Sequence, residues 1–290
     1  LVDGVGSETE ILGQIRTLVT LLPANNEDDL SYEECTDDLN RTCDDITACA
    51  GDTSIALSMI SDDSFYMEMK KDYAPEMVTA FIRLNGATVG CVANRSEVYT
   101  DGEKTASYDA ALTAAGCEKA AAFVNFCNAF EIPVLTLVNV DGYKNCKCNE
   151  KKIAKAAARL TYAFANADVP KVTVVVGKAN GTAGLTMNSK SIGSDIVYAW
   201  KNAKIGVMEA APAVKIMYAD EIAKADNAAV VINEKAAQYN EMQASALAAA
   251  KRGYVDDIIE ASETRQRVAA AFEMLFTKRE DRPSKKHGTI

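Results

Sequence analysis

Two continuous apolar runs, each opened by a proline, constrain the fold of this chain more than any other feature. They are Val134–Val140 and Lys171–Val176. Neither run alternates apolar with polar residues, which indicates strands buried on both faces of a helix-covered sheet. Helical apolar spacing precedes the first run at about residues 116–130 and separates the two at about 150–166. This order of helices and strands predicts an α/β fold.

The sequence before these runs divides into an arm and the start of a body. Residues 1–52 combine a predicted helix at Glu10–Leu22 with an acidic stretch at 25–52, which we interpret as a linker, an arm lying on another surface, or plain disorder. The body is predicted to span 53–290. It opens with a hairpin, because Asn85-Gly86 joins two strand-like runs and favours the positive φ angles of a type I′ turn.

After the apolar runs, the alternation of strands and helices continues. A helix ending near residue 276 is expected to be capped by Ser262 and to bury a stripe of Val268, Phe272, Leu275 and Phe276. The other expected elements are strands at Asp195–Trp200 and Ile205–Met208, and helices at Pro212–Lys224 and 233–251.

Composition excludes several classes of function. Residues 1–76 hold eighteen acidic against four basic side chains, which argues against nucleic acid as a partner. The one histidine, His287, removes mechanisms that need two. No apolar run approaches the length of a membrane span. The chain starts at Leu1 with no charged-then-apolar leader, so we expect a cytoplasmic protein, while an upstream start stays open.

The eight cysteines are expected to be reduced thiols. None forms a C-x-x-C pair, and several fall in apolar segments, where cysteine acts as a small hydrophobic residue. Only Cys146 and Cys148 lie close together in sequence, and they are the sole alternative for a metal site. We predict no metal.

The segment Gly177–Gly184 is the strongest candidate for binding chemistry. It consists of small residues that follow a buried strand and lead into a predicted helix. Small residues let a ligand approach the backbone, and amides at a helix start lack intrahelical partners, so the segment suits an anion or oxyanion. It matches no dinucleotide or Walker-type pattern. A purely structural turn between strand and helix is the alternative, as it is for Asp141-Gly142 after the earlier strand.

Several stretches, in one order along the chain, resemble the C-terminal half of the carboxyltransferase subunit of biotin-dependent acyl-CoA carboxylases and related acyl-CoA decarboxylases. The resemblance starts near residue 10 and no single motif carries it. The stretches are Leu21–Asn26, Phe126–Val140, Val169–Val174, Met187–Lys190, Tyr198–Trp200, Arg252–Ile259, Thr264-Arg265, Thr277–Glu280 and Lys285–Ile290.

The resemblance implies a crotonase-like domain that binds the biotin side of a carboxyl transfer. Its partners would be an N-terminal carboxyltransferase half, a biotin carboxyl carrier protein and biotin carboxylase, with acyl-CoA as substrate and a trimer-based oligomer. In the family, a turn of Lys-Ala-Tyr-Gly-Gly-Ala type holds the ureido oxygen of biotin with backbone amides. That turn falls on Lys178–Ala183, so the donors would be Thr182 and Ala183.

The resemblance also implies that the biotin pocket is formed by Asn180, Gly181, Gly184, Asp141, Gly142 and Tyr143. Departures from the family pattern lie around this pocket: Asn180 replaces an aromatic residue, Thr182 a glycine, and 144–152 a Gly-rich stretch. They motivate an alternative, a non-catalytic assembly or ligand-binding subunit with a degenerate pocket. Another crotonase-type reaction ranks last, because no acidic residue lies within 177–194.

Overall fold

A computed structural model describes residues 2–100 and 102–280 of the chain. Its α-helices are α1 (Glu8–Leu21), α2 (Thr53–Ile60), α3 (Ala114–Ala129), α4 (Lys147–Glu150), α5 (Ile153–Asn166), α6 (Gly181–Thr186), α7 (Ala210–Met217), α8 (Ala219–Lys224), α9 (Ala228–Tyr239), α10 (Ala246–Lys251) and α11 (Thr264–Leu275). A π-helical turn, Asn240–Ala244, follows α9, and short 3₁₀ turns occur at Ile46–Ala50, Asp62–Ser64, Lys190–Ile192 and Ala261–Glu263.

The strands form one mixed sheet with smaller pairs beside it. They are β1 (Met67–Glu68), β2 (Met77–Leu84), β3 (Ala87–Asn94), β4 (Glu97–Thr100), β5 (Glu103–Ser107), β6 (Ala111–Leu112), β7 (Val134–Val140), β8 (Gly142–Tyr143), β9 (Lys171–Asn180), β10 (Ile196–Trp200), β11 (Lys204–Gly206) and β12 (Asp257–Ile259). The order in the main sheet is β1-β2-β3-β7-β9-β10-β12, with β11 paired to β9.

The predicted hairpin is confirmed, and it starts the sheet. Strands β2 and β3 pair antiparallel in unbroken register from Met77 with Asn94 to Leu84 with Ala87. Asn85 and Gly86 both have positive φ, at 51° and 78°, as a type I′ turn requires. From β3 onward, β7, β9, β10 and β12 pair in parallel. Parallel strands that end at one edge place their following loops together.

Both faces of the sheet are covered, as the unbroken apolar runs predict. Along β7, Val134 and Val138 pack with α3 and α5 in one core cluster. Leu135 and Leu137 alternate to the other face and pack with α2 and α11 in a second cluster. Because successive side chains of a strand point to opposite faces, a strand between two helical layers has to be apolar throughout.

The acidic segment lies on the body, as the interpretation of an arm on another surface predicts. Its Cys43 amide donates to the Ser262 carbonyl, and Ile46 is buried in the second core cluster. Arg265, which is fully buried, bonds to Asp62 at 2.8 Å and contacts Asp37 at 3.3 Å. The contact with Asp37 holds the arm against α11, whereas the pair with Asp62 joins α11 to the turn that follows α2. A domain boundary at residue 52 stays a prediction.

Three predictions about elements after residue 176 were wrong in detail. The expected helix at 233–251 is interrupted at Ser245, whose extended backbone and side chain cap α10 instead. The expected helix at Pro212–Lys224 is split at Tyr218, between α7 and α8. Ser262 lies inside a 3₁₀ turn and caps no helix with its side chain, and Phe276 is exposed rather than part of a buried stripe.

Candidate functional site

A cavity of about 580 Å³ lies beside the end of β9, where α6 begins. Apolar side chains of the parallel strands form much of its wall, among them Val138, Val175, Val197 and Ile205. The start of α6 contributes backbone, and the π-helical turn and the segment after α10 close the far side of the wall. A partly apolar cavity of this size with a few polar groups is typical of small-molecule sites.

The sequence prediction of a loop at Gly177–Gly184 needs correction. Residues 177–180 continue β9, because Lys178 to Asn180 pair with β11. The chain then turns directly into α6 at Gly181, whose φ is +58°. A β-carbon at this position would also lie 3.0 Å from the Val207 carbonyl oxygen. Glycine at 181 is therefore required by both the backbone angle and the neighbouring chain.

Gly184 sets how closely α6 packs on β9. A β-carbon here would lie 2.7 Å from the carbonyl carbon of Ala179 and 3.0 Å from its oxygen. A β-carbon essentially never lies this close to an atom to which it is not bonded. Only glycine therefore permits the observed distance between α6 and β9. The helix start is thereby held against the cavity wall, of which Gly181, Thr182 and Gly184 form part.

The predicted donors, Thr182 and Ala183, lie in the first turn of α6. Amides in this turn have no intrahelical acceptor, and the Asn180 side chain caps none of them. The Thr182 side chain is exposed, whereas Ala183 is buried against the body. Thr182 has a negative φ, so its β-carbon introduces no strain; the unusual angle is taken by Gly181.

Tyr143 supports α6 from behind and is not among the residues that line the cavity. Its hydroxyl lies 3.0 Å from the Thr186 hydroxyl, which donates to the Thr182 carbonyl at 2.9 Å. Thr161 donates to the same Thr186 oxygen at 3.4 Å. These hydroxyls fix the carbonyl that precedes the Ala183 amide, and so orient the amide.

Asp141 joins Asn180 and Lys178 in a polar cluster at the ends of β7 and β9. The side-chain amide of Asn180 donates to the Asp141 carboxylate at 3.2 Å. The Lys178 ammonium donates to the same carboxylate at 3.0 Å and to Glu209 at 2.6 Å. Partial burial disfavours the charge of Lys178, but the two carboxylates outweigh burial and raise its pKa. Asn180 is buried, and its side chain is directed to Asp141 by this hydrogen bond.

The described lining of the cavity contains basic side chains but no carboxylate. Among the residues described, its lining includes Lys190 and Arg252 but neither aspartate nor glutamate. Lys190 donates to Asp256 at 2.8 Å, and Arg252 donates to the Gln243 carbonyl at 2.8 Å. Such a wall can stabilise negative charge on a ligand, but it offers no carboxylate to move a proton. Hydrolysis or isomerisation assisted by a carboxylate base has no support here.

Only some of the residues predicted for the site line the cavity. Gly181, Thr182 and Gly184 line it, whereas Asp141, Gly142, Tyr143, Asn180 and Ala183 are not among the lining residues. The residues of the far wall were not predicted for the site, and spacing offered no signal for them because they lie more than fifty residues downstream of α6. They are Tyr239, Gln243, Arg252, Tyr254 and Val255.

The described residues contain neither a group of metal-binding side chains nor a membrane-spanning helix. Across residues 2–100 and 102–280, no three or more histidine, cysteine, aspartate or glutamate side chains are grouped to hold a metal ion. In the same ranges, no helix is both long and apolar enough to cross a membrane. His287 lies outside the described residues.

Comparisons with known proteins match almost the whole chain. The family described as "Carboxyl transferase domain" matches residues 5–290. The methylmalonyl-CoA carboxyltransferase 12S subunit of Propionibacterium freudenreichii subsp. shermanii is 38% identical over 95% of this chain and 52% of its own length. The methylmalonyl-CoA decarboxylase alpha subunit of Propionigenium modestum is 37% identical over 96% of this chain and 54% of its own.

The fold comparison agrees. A crystal structure of a transcarboxylase 12S hexamer, with methylmalonyl-CoA and methylmalonic acid bound, superposes with a TM-score of 0.86 and 37% identity over 95% of this chain and 53% of that one. The predicted α/β, crotonase-like fold is thereby confirmed. This chain spans about half the length of the relatives that it matches.

Proposed function

Because the chain belongs to the carboxyl transferase domain family, we propose that it is a carboxyltransferase half-subunit that moves a carboxyl group between carboxybiotin and a short-chain acyl-CoA. The observation that carries the proposal is the cavity at the start of α6. Its wall joins the first turn of α6, whose amides have no intrahelical acceptor, with basic side chains and, among the described residues, no carboxylate.

The residues present fit a biotin ring system. A cavity of about 580 Å³ is ample for a bicyclic urea, and its apolar strand side chains suit the carbon framework of the rings. The ureido oxygen needs hydrogen-bond donors, and the proposal assigns this role to the amides of Thr182, which lines the cavity, and of Ala183, the next residue in the first turn of α6. Gly181 and Gly184 keep the approach to those amides free of side chains.

The main role of the chain is to stabilise negative charge on the ureido oxygen. One preorganised oxyanion donor is typically worth about 3–4 kcal/mol of transition-state stabilisation. When bound, carboxybiotin supplies the carboxyl group and, after its loss, a ring nitrogen able to act as a base. The absence of a carboxylate from the described cavity wall is compatible with this division of roles, because the chain itself need not supply the base.

The remaining predicted pocket residues hold the amides in place. Tyr143 acts through Thr186 on the backbone of Thr182. Asp141 holds Asn180, the last residue of β9, directly before the helix. In this proposal they are positioning residues, and their effects on transfer are indirect.

Partner proteins would bind acyl-CoA and deliver carboxylated biotin. Acyl-CoA would be bound mainly by an N-terminal carboxyltransferase half, on a separate chain or a separate segment. Biotin would arrive on a carboxyl carrier protein charged by biotin carboxylase, in a trimer-based cytoplasmic assembly. The related 12S structure is a hexamer with methylmalonyl-CoA bound, which supports both the oligomer and the substrate class.

The test is reconstitution. We expect the chain, mixed with an N-terminal carboxyltransferase half and free biotin, to carboxylate biotin in a manner that depends on methylmalonyl-CoA. Transfer from labelled carboxybiotin to propionyl-CoA measures the other direction. An assembled complex that exchanges no carboxyl group above background would refute the enzyme proposal.

The same reconstituted complex distinguishes the enzyme from the alternative, a non-catalytic assembly or ligand-binding subunit. It predicts a stable assembly without exchange, and either no biotin binding or binding insensitive to the start of α6. Biotin binding that is lost in Gly181→Val, while the assembly persists, would count against this alternative. The substitution adds a β-carbon where φ is positive and the Val207 carbonyl is 3.0 Å away.

A further inference from the structure

Cys146 and Cys148 form a thiol pair on the surface segment between β8 and α5. Their sulfur atoms lie 2.9 Å apart, and both thiols are free. A disulfide bond is about 2.0 Å long, so closing the pair requires a shift of only about 1 Å. Cys148 is exposed and Cys146 half-buried, so a small oxidant in solvent can reach them.

The segment that carries the pair is suited to such a movement. Cys146 has an extended backbone and precedes α4, which is four residues long. Lys147, between the two cysteines, is exposed. The nearest buried side chain, Asn149, is fixed by its own bonds to the Ala114 amide and the Lys144 carbonyl, each at 2.7 Å. The thiols can therefore move without disturbing the core.

The other six cysteines differ from Cys146 in acidity, and four of them also differ in exposure because they are buried. Burial is the largest cause that raises the pKa of each of these thiols, which are Cys35, Cys43, Cys49, Cys91, Cys117 and Cys127. The pKa of Cys146 is lowered, first by the Cys148 thiol that donates to it, then by the Asn149 backbone and the nearby Lys144. Since the thiolate is the nucleophile, Cys146 is the most reactive thiol of the described chain.

We propose that Cys146 and Cys148 are a redox modification site, at which a peroxide converts the two thiols to a disulfide. In the first step Cys146 loses its proton to solvent and the thiolate attacks one peroxide oxygen; an S–O bond forms, the O–O bond breaks, and hydroxide leaves and takes up a proton to become water. In the second step the Cys148 sulfur attacks the Cys146 sulfur; the S–S bond forms, the S–O bond breaks, and the oxygen leaves as water with the Cys148 proton. Two electrons pass from the thiols to the peroxide, and a dithiol reductant reverses the change.

The site is separate from the cavity, because neither cysteine is among its lining residues. It does lie on the segment that departs from the family pattern, three residues after Tyr143. The proposal does not depend on carboxyl transfer and is tested without an activity assay.

The experiment is a peroxide titration of the whole reduced chain, followed by alkylation with iodoacetamide, proteolysis and peptide mass analysis. We expect the peptide with Cys146 and Cys148 to lose the mass of two hydrogen atoms, to take up no alkyl group, and to recover both thiols with dithiothreitol. It should react before the half-buried Cys35 and Cys49, which lack a neighbouring thiol and whose thiols are made less acidic by burial.

Variants distinguish the role of Cys146, which attacks the peroxide, from that of Cys148, which closes the disulfide. Cys148→Ser is expected to stop at a sulfenic acid on Cys146 that dimedone traps, whereas Cys146→Ser should leave Cys148 reduced under the same exposure. Cys35→Ser, the matched control, should form the bridge as the unaltered chain does. The proposal is overturned if Cys146 stays as alkylatable as Cys35 and Cys49 after peroxide, or if it is overoxidised without forming the bridge.

Discussion

Replacing Gly184 by alanine tests whether the close contact between α6 and β9 sets the position of the site. The new β-carbon would lie 2.7 Å from the Ala179 carbonyl carbon, where ordinary contact begins at 3.4 Å. Relief therefore requires α6 to move by about 0.7 Å, at a cost of about 1–3 kcal/mol for overpacking. The neighbouring atoms belong to backbone in the sheet, so no flexible side chain can give way.

The same displacement moves the Thr182 and Ala183 amides relative to the cavity. Loss of one aligned oxyanion donor lowers transfer by about 10²–10³-fold, which is the expected upper range for this variant in the reconstituted assay. Stability is measured separately, as the midpoint of urea unfolding, so that a fold defect is not mistaken for a site defect. We expect Gly184→Ala to unfold at a lower urea concentration than the unaltered chain and to transfer the carboxyl group more slowly.

Gly13→Ala is the matched control. Gly13 lies within α1, and a β-carbon there meets nothing within 4 Å. The variant should equal the unaltered chain, or gain up to about 1 kcal/mol of stability from helix propensity. If Gly184→Ala unfolds at the same midpoint as this control and transfers at the same rate, the close contact does not position the helix.

Further predictions concern the ion pairs of the arm and the hydroxyls behind α6. Arg265→Met leaves the buried Asp62 without its partner and should lower the free energy of unfolding by about 3–5 kcal/mol, measured in urea. The hydrogen bond from Arg41 is the main cause that lowers the pKa of Asp37 to about 2. Stability from this group is thus complete above its unfolded pKa of about 4 and is lost as the pH falls towards 2, so Asp37→Asn should flatten that part of the stability–pH curve. Thr186→Val removes the donor to the Thr182 carbonyl and should cost about 1–3 kcal/mol in thermal unfolding, because Thr186 is buried. The loss should exceed that of Thr17→Val in α1, where the residue is only half-buried.

Much of the sheet could be predicted from the sequence. The unbroken apolar runs of β7 and β9 required burial on both faces, and Asn85-Gly86 required a two-residue turn, because each feature has one physical solution that fits the local chain. Boundaries after residue 200 could not be predicted as well. The break at Ser245 depends on its side-chain cap of α10 and on its bridge to Lys204 of β11, which a helical apolar pattern does not encode.

The covered sheet, the small-residue segment at the end of β9 and the family resemblance all follow from local sequence, because strand burial and glycine requirements depend on neighbouring residues in the chain. Which of those residues face a common cavity depends on the folded chain instead. It directed Asn180 to Asp141 and Tyr143 to Thr186, and it brought Gln243, Arg252 and Tyr254 to the far wall. A site wall assembled from segments distant in sequence is fixed by the packing of helices on the sheet, and that packing depends on the whole chain at once.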